Sequence, residues 1–149
     1  MKIVSSTPEQ HAELLKLWEA SVRATHHFLN DRQISEIRQQ IIDHQYFQHV
    51  ALFHVEQEHE IQGFIGLSEN KIEMLFIAPD LRRQGIGLQL LQHALRLGAT
   101  QVDVNEQNPE ATAFYLKHGF EVYQRSETDD AGNPFPILHM QLTSSHQHA

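Results

Sequence analysis

The residues with the clearest chemical potential are Arg82-Arg83-Gln84-Gly85-Ile86-Gly87-Leu88, which follow the apolar run Met74-Leu75-Phe76-Ile77 and the turn Ala78-Pro79-Asp80-Leu81. Glycines in a first helical turn leave backbone N–H groups open to a ligand, and the helix dipole favours an anion there. Arg82 and Arg83 add fixed positive charge at the same end, an unfavourable arrangement unless an anion joins them. A phosphate or pyrophosphate fits this segment. An ordinary solvated turn between a strand and a helix is the plainer alternative. A Walker A loop needs Gly-Lys followed by Ser or Thr, which is missing, so ATP is disfavoured. The dinucleotide fingerprint also fails: Asp103 lies at a suitable distance, but Leu90 occupies the third glycine position.

A second segment runs from Asn105 to Phe120. Asn108 and Tyr115 stand seven residues apart, two helical turns, so both project from one helix face. Together the two segments resemble the GNAT superfamily of N-acetyltransferases. Arg82-x-x-Gly85-x-Gly87 is similar to that family's Q/R-x-x-G-x-G/A signature, and Asn108-x-x-Ala111-x-x-Phe114-Tyr115-x-x-x-Gly119-Phe120 is similar to its N-x-x-A-x-x-F-Y-x-x-x-G-F segment. The likeness is strong over Ile72 to Phe120, and the expected element order fits the remaining length. A narrower likeness, over Ser21 to Leu29, Ser126 to Asp130 and Asn133 to Pro136, is to bacterial peptidyl-lysine N-acetyltransferases of that family.

The resemblance implies acetyl-CoA as cosubstrate, with its pyrophosphate held by Arg82, Arg83, Gln84, Gly85, Ile86, Gly87 and Leu88. It implies that backbone N–H groups of Leu75, Phe76 and Ile77 bind pantetheine and polarise the thioester carbonyl, and that Asn108 binds pantetheine, although Asn108 also suits a helix N-cap. Tyr115 is the expected acid: a phenol with a pKa near 10 can donate to a departing thiolate whose conjugate acid lies near 8.5. A buried structural tyrosine is the alternative, and Phe114 reads as core. Three candidates stand for the general base. Glu73 precedes Leu75 by two residues, and strand alternation would put its carboxylate beside the thioester-binding segment. His26 and His27 follow the first helix, and imidazole titrates near 6.5. One buried, hydrogen-bonded ring and one exposed ring would be the plainer reading of that pair, with bulk water as the remaining base. No acidic cluster has metal-ligand spacing, so no metal is expected.

Several elements must position these groups. Thr7-Pro8-Glu9-Gln10 is a capping box with Pro at N1, followed by a helical stripe of Leu14, Leu15, Trp18 and Val22. A second helix carries Ile34, Ile37, Ile41 and Ile42. Strand-like runs at Val50 to Val55, Ile61 to Leu67 and Ile72 to Ile77 read as an antiparallel meander. Leu88, Leu91 and Leu95 form a helical stripe closed by Gly98. A strand at Gln101 to Asn105, a helix opened by Asn108-Pro109 and closed by His118-Gly119, and strands at Phe120 to Gln124 and Ile137 to Leu142 complete the order. The expected class is α/β (α+β). The resemblance refines this to a GNAT-like mixed, mostly antiparallel sheet of six or seven strands flanked by four helices, splayed between the fourth and fifth strands.

Length and charge limit the alternatives. The 149 residues suit one domain, expected over 1–143, with 144–149 a polar C-terminal tail. The chain has no cysteine, which excludes disulfides and thiol nucleophiles and suits a reducing compartment. The N-terminal residues show no signal-peptide core, so a cytoplasmic location without membrane association is expected. A net charge of −8 repels nucleic acid and favours an amine acceptor. Glu127, Asp129 and Asp130 would draw in a cationic acceptor, or simply form a solvated acidic loop. The expected activity is direct acetyl transfer to a primary amine, a protein lysine among the candidates, by a monomer or homodimer. The alternatives are a small-molecule amine or amino-acid acetyltransferase and a coenzyme A sensor without turnover.

Overall fold

The computed structural model describes residues 2–81 and 83–143; Arg82 and the expected tail 144–149 lie outside the described residues. The chain forms two compact units, residues 1–99 and 100–149. Seven strands and four α-helices occur among the described residues, in the order expected from the sequence.

The first unit contains β1 (Lys2–Ser5), α1 (His11–Thr25), α2 (Asp31–Asp43), β2 (Ala51–Gln57), β3 (Glu60–Ser68), β4 (Lys71–Ile77) and α3 (Ile86–Arg96). Its strands pair antiparallel in the order β1-β2-β3-β4. Glu58 and His59, both at positive φ, make the tight turn joining β2 to β3. Residues Gly63 to Leu67 are all buried, as a central strand covered on both faces requires. On one face Leu14, Leu17, Trp18 and Val22 of α1 and Ile34 of α2 enclose Phe64, Met74, Leu52 and Phe47. On the other, α3 sits against β2 and β3, with the His93 ring 4.7 Å from Phe53 and Ile86 against Gly63.

Local signals explain the helix starts. Before α1, Gln10 Oε1 accepts hydrogen bonds from the Thr7 N–H at 2.7 Å and the Thr7 hydroxyl at 2.9 Å, although Pro8–Gln10 form a 3₁₀ turn and the α-helix begins only at His11. At α2, Asn30 and Gln33 cap one another reciprocally. The buried stripe of α3 differs from the one the leucine spacing suggests. Ile86, Leu90, Leu91 and Ala94 are buried, while Leu88 and Leu95 are half-buried. Ile86, the apolar first residue, joins the buried face and packs toward Gly63 of the sheet.

The second unit contains β5 (Gln101–Asn105), α4 (Pro109–Lys117), β6 (Phe120–Ser126) and β7 (Ile137–Leu142). Its strands pair antiparallel in the order β5-β7-β6. Val102, Val104, Phe120, Met140, Leu142 and Tyr115 are buried.

Phe64 is fully buried and meets the Phe47 ring at 5.9 Å and the Phe76 ring at 5.8 Å. Phe64→Ala is expected to lower stability by ~3–5 kcal/mol through lost burial and the cavity left behind. A matching drop in the urea midpoint would show it; an unchanged midpoint would remove Phe64 from the core's main supports.

Candidate active site

Gly85 is the N-cap of α3 and has φ of 85°, a left-handed conformation that glycine takes without strain. Among the described residues, no heavy atom other than those of its chain neighbours and its own helix backbone lies within 4 Å of the place a Cβ would occupy, so the turn is open on that side. The first intrahelical bond runs from Gln89 N–H to the Gly85 carbonyl at 3.1 Å. The N–H groups of Ile86, Gly87 and Leu88 therefore precede the helical ladder and face outward for an acceptor. Arg83 and Gln84 are exposed beside them, with Arg83 itself at φ 66°. Gly63, which the sequence reading did not single out, seats this helix end. A Cβ there would come within 2.8 Å of Ile77 Cδ1, 3.1 Å of the Phe76 carbonyl oxygen and 3.2 Å of Ile86 Cγ2.

On β4, Leu75, Phe76 and Ile77 are half-buried and pair with Ile65, Phe64 and Gly63. The simple alternation expected for Glu73 does not hold. Ile72 pairs with Leu67 and Met74 with Gly66, which leaves Glu73 as the extra residue of a β-bulge. A bulge turns its side chain out of the regular alternation. Glu73 Oε2 accepts a hydrogen bond from the Tyr46 hydroxyl at 3.2 Å, and Tyr46 belongs to the cluster beneath α1 and α2. The carboxylate thus shares a face with Met74 and Phe76, not with Leu75.

His26 lies on that same face, 6.4 Å from Phe76 and 5.3 Å from Phe28 between ring centroids. It caps the C-terminus of α1. The Thr25 hydroxyl donates to the Ser21 carbonyl at 2.7 Å and stands 2.7 Å from His26 Nδ1. A hydroxyl has one hydrogen, already given to Ser21, so Nδ1–H must donate to Thr25 and Nε2 carries the lone pair. Burial, and secondarily the neighbouring His27, push the His26 pKa below its ordinary value. His26 is accordingly a neutral imidazole with a defined acceptor nitrogen. His27 is exposed.

In the second unit, Asn108 caps α4 by accepting from the Ala111 N–H at 3.2 Å. Tyr115 is buried in α4, with its ring 5.1 Å from Phe114 and 5.4 Å from Phe120. Burial raises its pKa far above that of a free phenol, so the group keeps its proton at any pH the protein meets. Phe114 is half-buried and stacks edge-on with His118. Of the acidic trio, Asp129 is occupied within its own loop, accepting from Ala131 N–H, Asn133 N–H and Asn133 Nδ2, while Glu127 and Asp130 are exposed.

The structure thus gathers His26, Glu73 and Phe76 on one face of β4 and puts the glycine turn at the start of α3. The sequence reading does not include the partners Tyr46 and Thr25. Tyr46 lies 27 residues from Glu73 and leaves no local trace, whereas a threonine in the last turn of a helix beside a histidine is a readable signal.

A family profile described as Acetyltransferase (GNAT) domain matches residues 9–144. The chain belongs to this family. It is an acetyltransferase with the GNAT fold. It is 39% identical over 142 residues to the peptidyl-lysine N-acetyltransferase YjaB of Salmonella typhimurium, covering 94% of this chain and 97% of that protein. The solution structure of apo-form YjaB from Escherichia coli matches with a TM-score of 0.85 at 37% identity, over 95% of this chain and 97% of that one. A more distant relative, the 5-NmdU N-acetyltransferase of Pseudomonas phage PaMx11, is 31% identical over 124 residues, 77% of this chain and 83% of that protein. Among the described residues no group of three His, Asp or Glu side chains is arranged to hold a metal ion, and no helix is long and apolar enough to cross a membrane.

Proposed function

We propose that the chain transfers the acetyl group of acetyl-CoA directly to the ε-amine of a protein lysine, with residues 1–143 acting as one catalytic domain in the cytoplasm. The observation that carries the donor assignment is the open glycine turn before α3, where three N–H groups lack helical acceptors and Arg83 stands beside them. The acceptor assignment rests on the near full-length likeness to the two YjaB proteins. The family match over residues 9–144 supports the single domain.

In this reading the N–H groups of Ile86, Gly87 and Leu88, with Arg82, Arg83 and Gln84, hold the pyrophosphate. Of the three expected backbone groups, the N–H groups of Leu75 and Ile77 point away from β3 and hold pantetheine and polarise the thioester carbonyl, whereas that of Phe76 belongs to the pairing with Phe64, in step with the bond from Ala78 N–H to the Gln62 carbonyl at 2.9 Å; Asn108, whose capping bond leaves its amide nitrogen available, joins them. His26 Nε2 removes the proton from the attacking amine. Glu73, with Oε2 engaged by Tyr46, attracts the lysine as an ammonium ion before it loses its proton, and relays that proton through water when His26 is absent. His27, exposed beside His26, lowers the base's pKa rather than touching the amine. Tyr115 gives its hydroxyl hydrogen bond to the sulfur as the C–S bond breaks.

The experiment compares lysine peptides, free amino acids, polyamines and aminomethyl-pyrimidine nucleosides as acceptors with acetyl-CoA. Preference for lysine peptides by kcat/KM supports the proposal. Preference for a small amine makes this a small-molecule acetyltransferase, and acetyl-CoA binding without turnover on any acceptor leaves a sensor.

His26 gives a pH prediction. A lowered pKa keeps the imidazole neutral and able to accept a proton somewhat below 6.5, so the acid limb of kcat/KM should fall at a pH below that value. His26→Gln should lower the plateau about 10²-fold and remove that limb. An unchanged profile in the variant would exclude His26 as the base and leave Glu73.

A further inference from the structure

The sheet of the second unit carries a set of polar side chains that acetyl transfer to an amine leaves unused. Asp103 of β5 stands opposite His139 of β7, and Ser126 ends β6. His139 Nδ1 lies 2.7 Å from Asp103 Oδ1, and His139 Nε2 lies 2.7 Å from Ser126 Oγ. A carboxylate only accepts, so Nδ1–H donates to Asp103, and in the neutral ring Nε2 then accepts from the Ser126 hydroxyl. Carboxylate on Nδ1 and hydroxyl on Nε2 is the arrangement of a serine nucleophile, its base and the group that orients the base.

A backbone irregularity produces this alignment. β6 and β7 pair regularly from Phe120 opposite Leu142 to Val122 opposite Met140, then shift so that Gln124, not Tyr123, stands opposite His139. Without the extra residue Ser126 would point to the buried face with Met140; with it, Ser126 falls two residues beyond Gln124 on the face of His139. The His139 and Asp103 side chains retain 20% and 27% exposure, and Ser126 is half-buried, so a small substrate can reach the hydroxyl.

We propose that Ser126, His139 and Asp103 form a second acyl-transfer centre that hydrolyses small aryl esters. Ser126 Oγ attacks the ester carbonyl carbon as its proton passes to His139 Nε2. The bond from that carbon to the phenol oxygen breaks, and His139 returns the proton to the phenol. Water then attacks the acyl-Ser126 ester, giving a proton to His139, and the carboxylic acid leaves as Ser126 regains its hydrogen. Asp103 is a positioning residue that holds the tautomer and orientation of His139. The hydrogen bonds among the described residues of this face supply no pair of oxyanion donors, and lacking one such donor costs about 10²–10³-fold in rate. Aryl esters, whose phenol leaving groups need the least help, are therefore the substrate class.

The test uses the full chain in two measurements. A fluorophosphonate probe should form an adduct that peptide mass spectrometry assigns to Ser126, a result that needs no variant to fold. Hydrolysis of p-nitrophenyl acetate should fall at least tenfold in Ser126→Ala and in His139→Ala, and Asp103→Asn should lower kcat while leaving KM unchanged. Acetyl-CoA binding by each variant checks that it is folded and is independent of the ester result. Absence of an adduct on Ser126, or hydrolysis unchanged in His139→Ala, overturns the proposal.

Discussion

Gly87→Glu is expected to abolish acetyl-CoA binding, with at least a hundredfold loss of affinity by calorimetry. Gly87 occupies the second position of α3, where its N–H precedes the first helical hydrogen bond and the positive end of the helix dipole is concentrated. A glutamate there does two things at once. Its side chain fills space that the pyrophosphate needs, and its negative charge opposes the phosphates at contact distance, where Coulomb repulsion is worth about 1–4 kcal/mol depending on solvent screening. The helix itself gains from an acidic residue in its first turn, and glutamate is a better helix former than glycine. Thermal stability should therefore be retained or improved while binding is lost. That opposite movement distinguishes a ligand site from a structural one. Wild-type affinity in a folded Gly87→Glu protein would remove the glycine turn from cofactor recognition.

Tyr115→Phe should lower kcat by about 10²-fold or more, the usual scale for loss of a positioned acid, with coenzyme A affinity nearly unchanged. No hydrogen bond from a described residue reaches the Tyr115 hydroxyl, whereas its ring is buried against Phe114 and Phe120. Deleting the hydroxyl removes no bond to a described residue and keeps the ring, so the melting temperature should move little. The raised pKa fits a group that donates a hydrogen bond at every working pH and is not itself titrated. Unaltered kcat in Tyr115→Phe would return Tyr115 to the core alone.

The parts of the site that follow from local rules were legible in the sequence. Asn108 before Pro109 specifies an N-cap, and the structure has Asn108 Oδ1 on the Ala111 N–H. Gly85 and Gly98 mark the two ends of α3, both at positive φ. The strand Gln101–Asn105 begins and ends where its alternation does. What escaped depends on pairing between strands or on side chains distant in sequence. The bulge at Glu73 arises from how β4 registers against β3, and no property of the Lys71 to Ile77 stretch taken alone announces it. It moved the carboxylate from the Leu75 face to the side where Tyr46 and His26 lie. The bulge in β6 had the same effect on Ser126, and the Ser126, His139 and Asp103 contacts join three strands that no short motif connects. The buried stripe of α3 depends on packing between elements in the same way. Leucine spacing alone gives Leu88 and Leu95 equal weight with Leu91, but Gly63, with no Cβ, leaves room for Ile86 against β3, and Ile86 joins the buried face.

The two histidines of the first unit also divide as their surroundings dictate. His26 is held by Thr25, ringed by Phe28 and Phe76 and kept neutral by burial, whereas His27 is left in solvent. Twelve histidines in the chain make pH a blunt instrument, so the His26→Gln comparison, not the profile of the wild-type chain alone, carries the assignment of the base.

The most direct test of the central claim is to incubate the purified chain with acetyl-CoA and a lysine peptide and to follow both free coenzyme A thiol and peptide mass. Equal amounts of thiol and singly acetylated peptide, in wild-type protein but not in Gly87→Glu, are the predicted result. Acetylation no faster than without the protein, for the peptide and for every amine offered in its place, would contradict it.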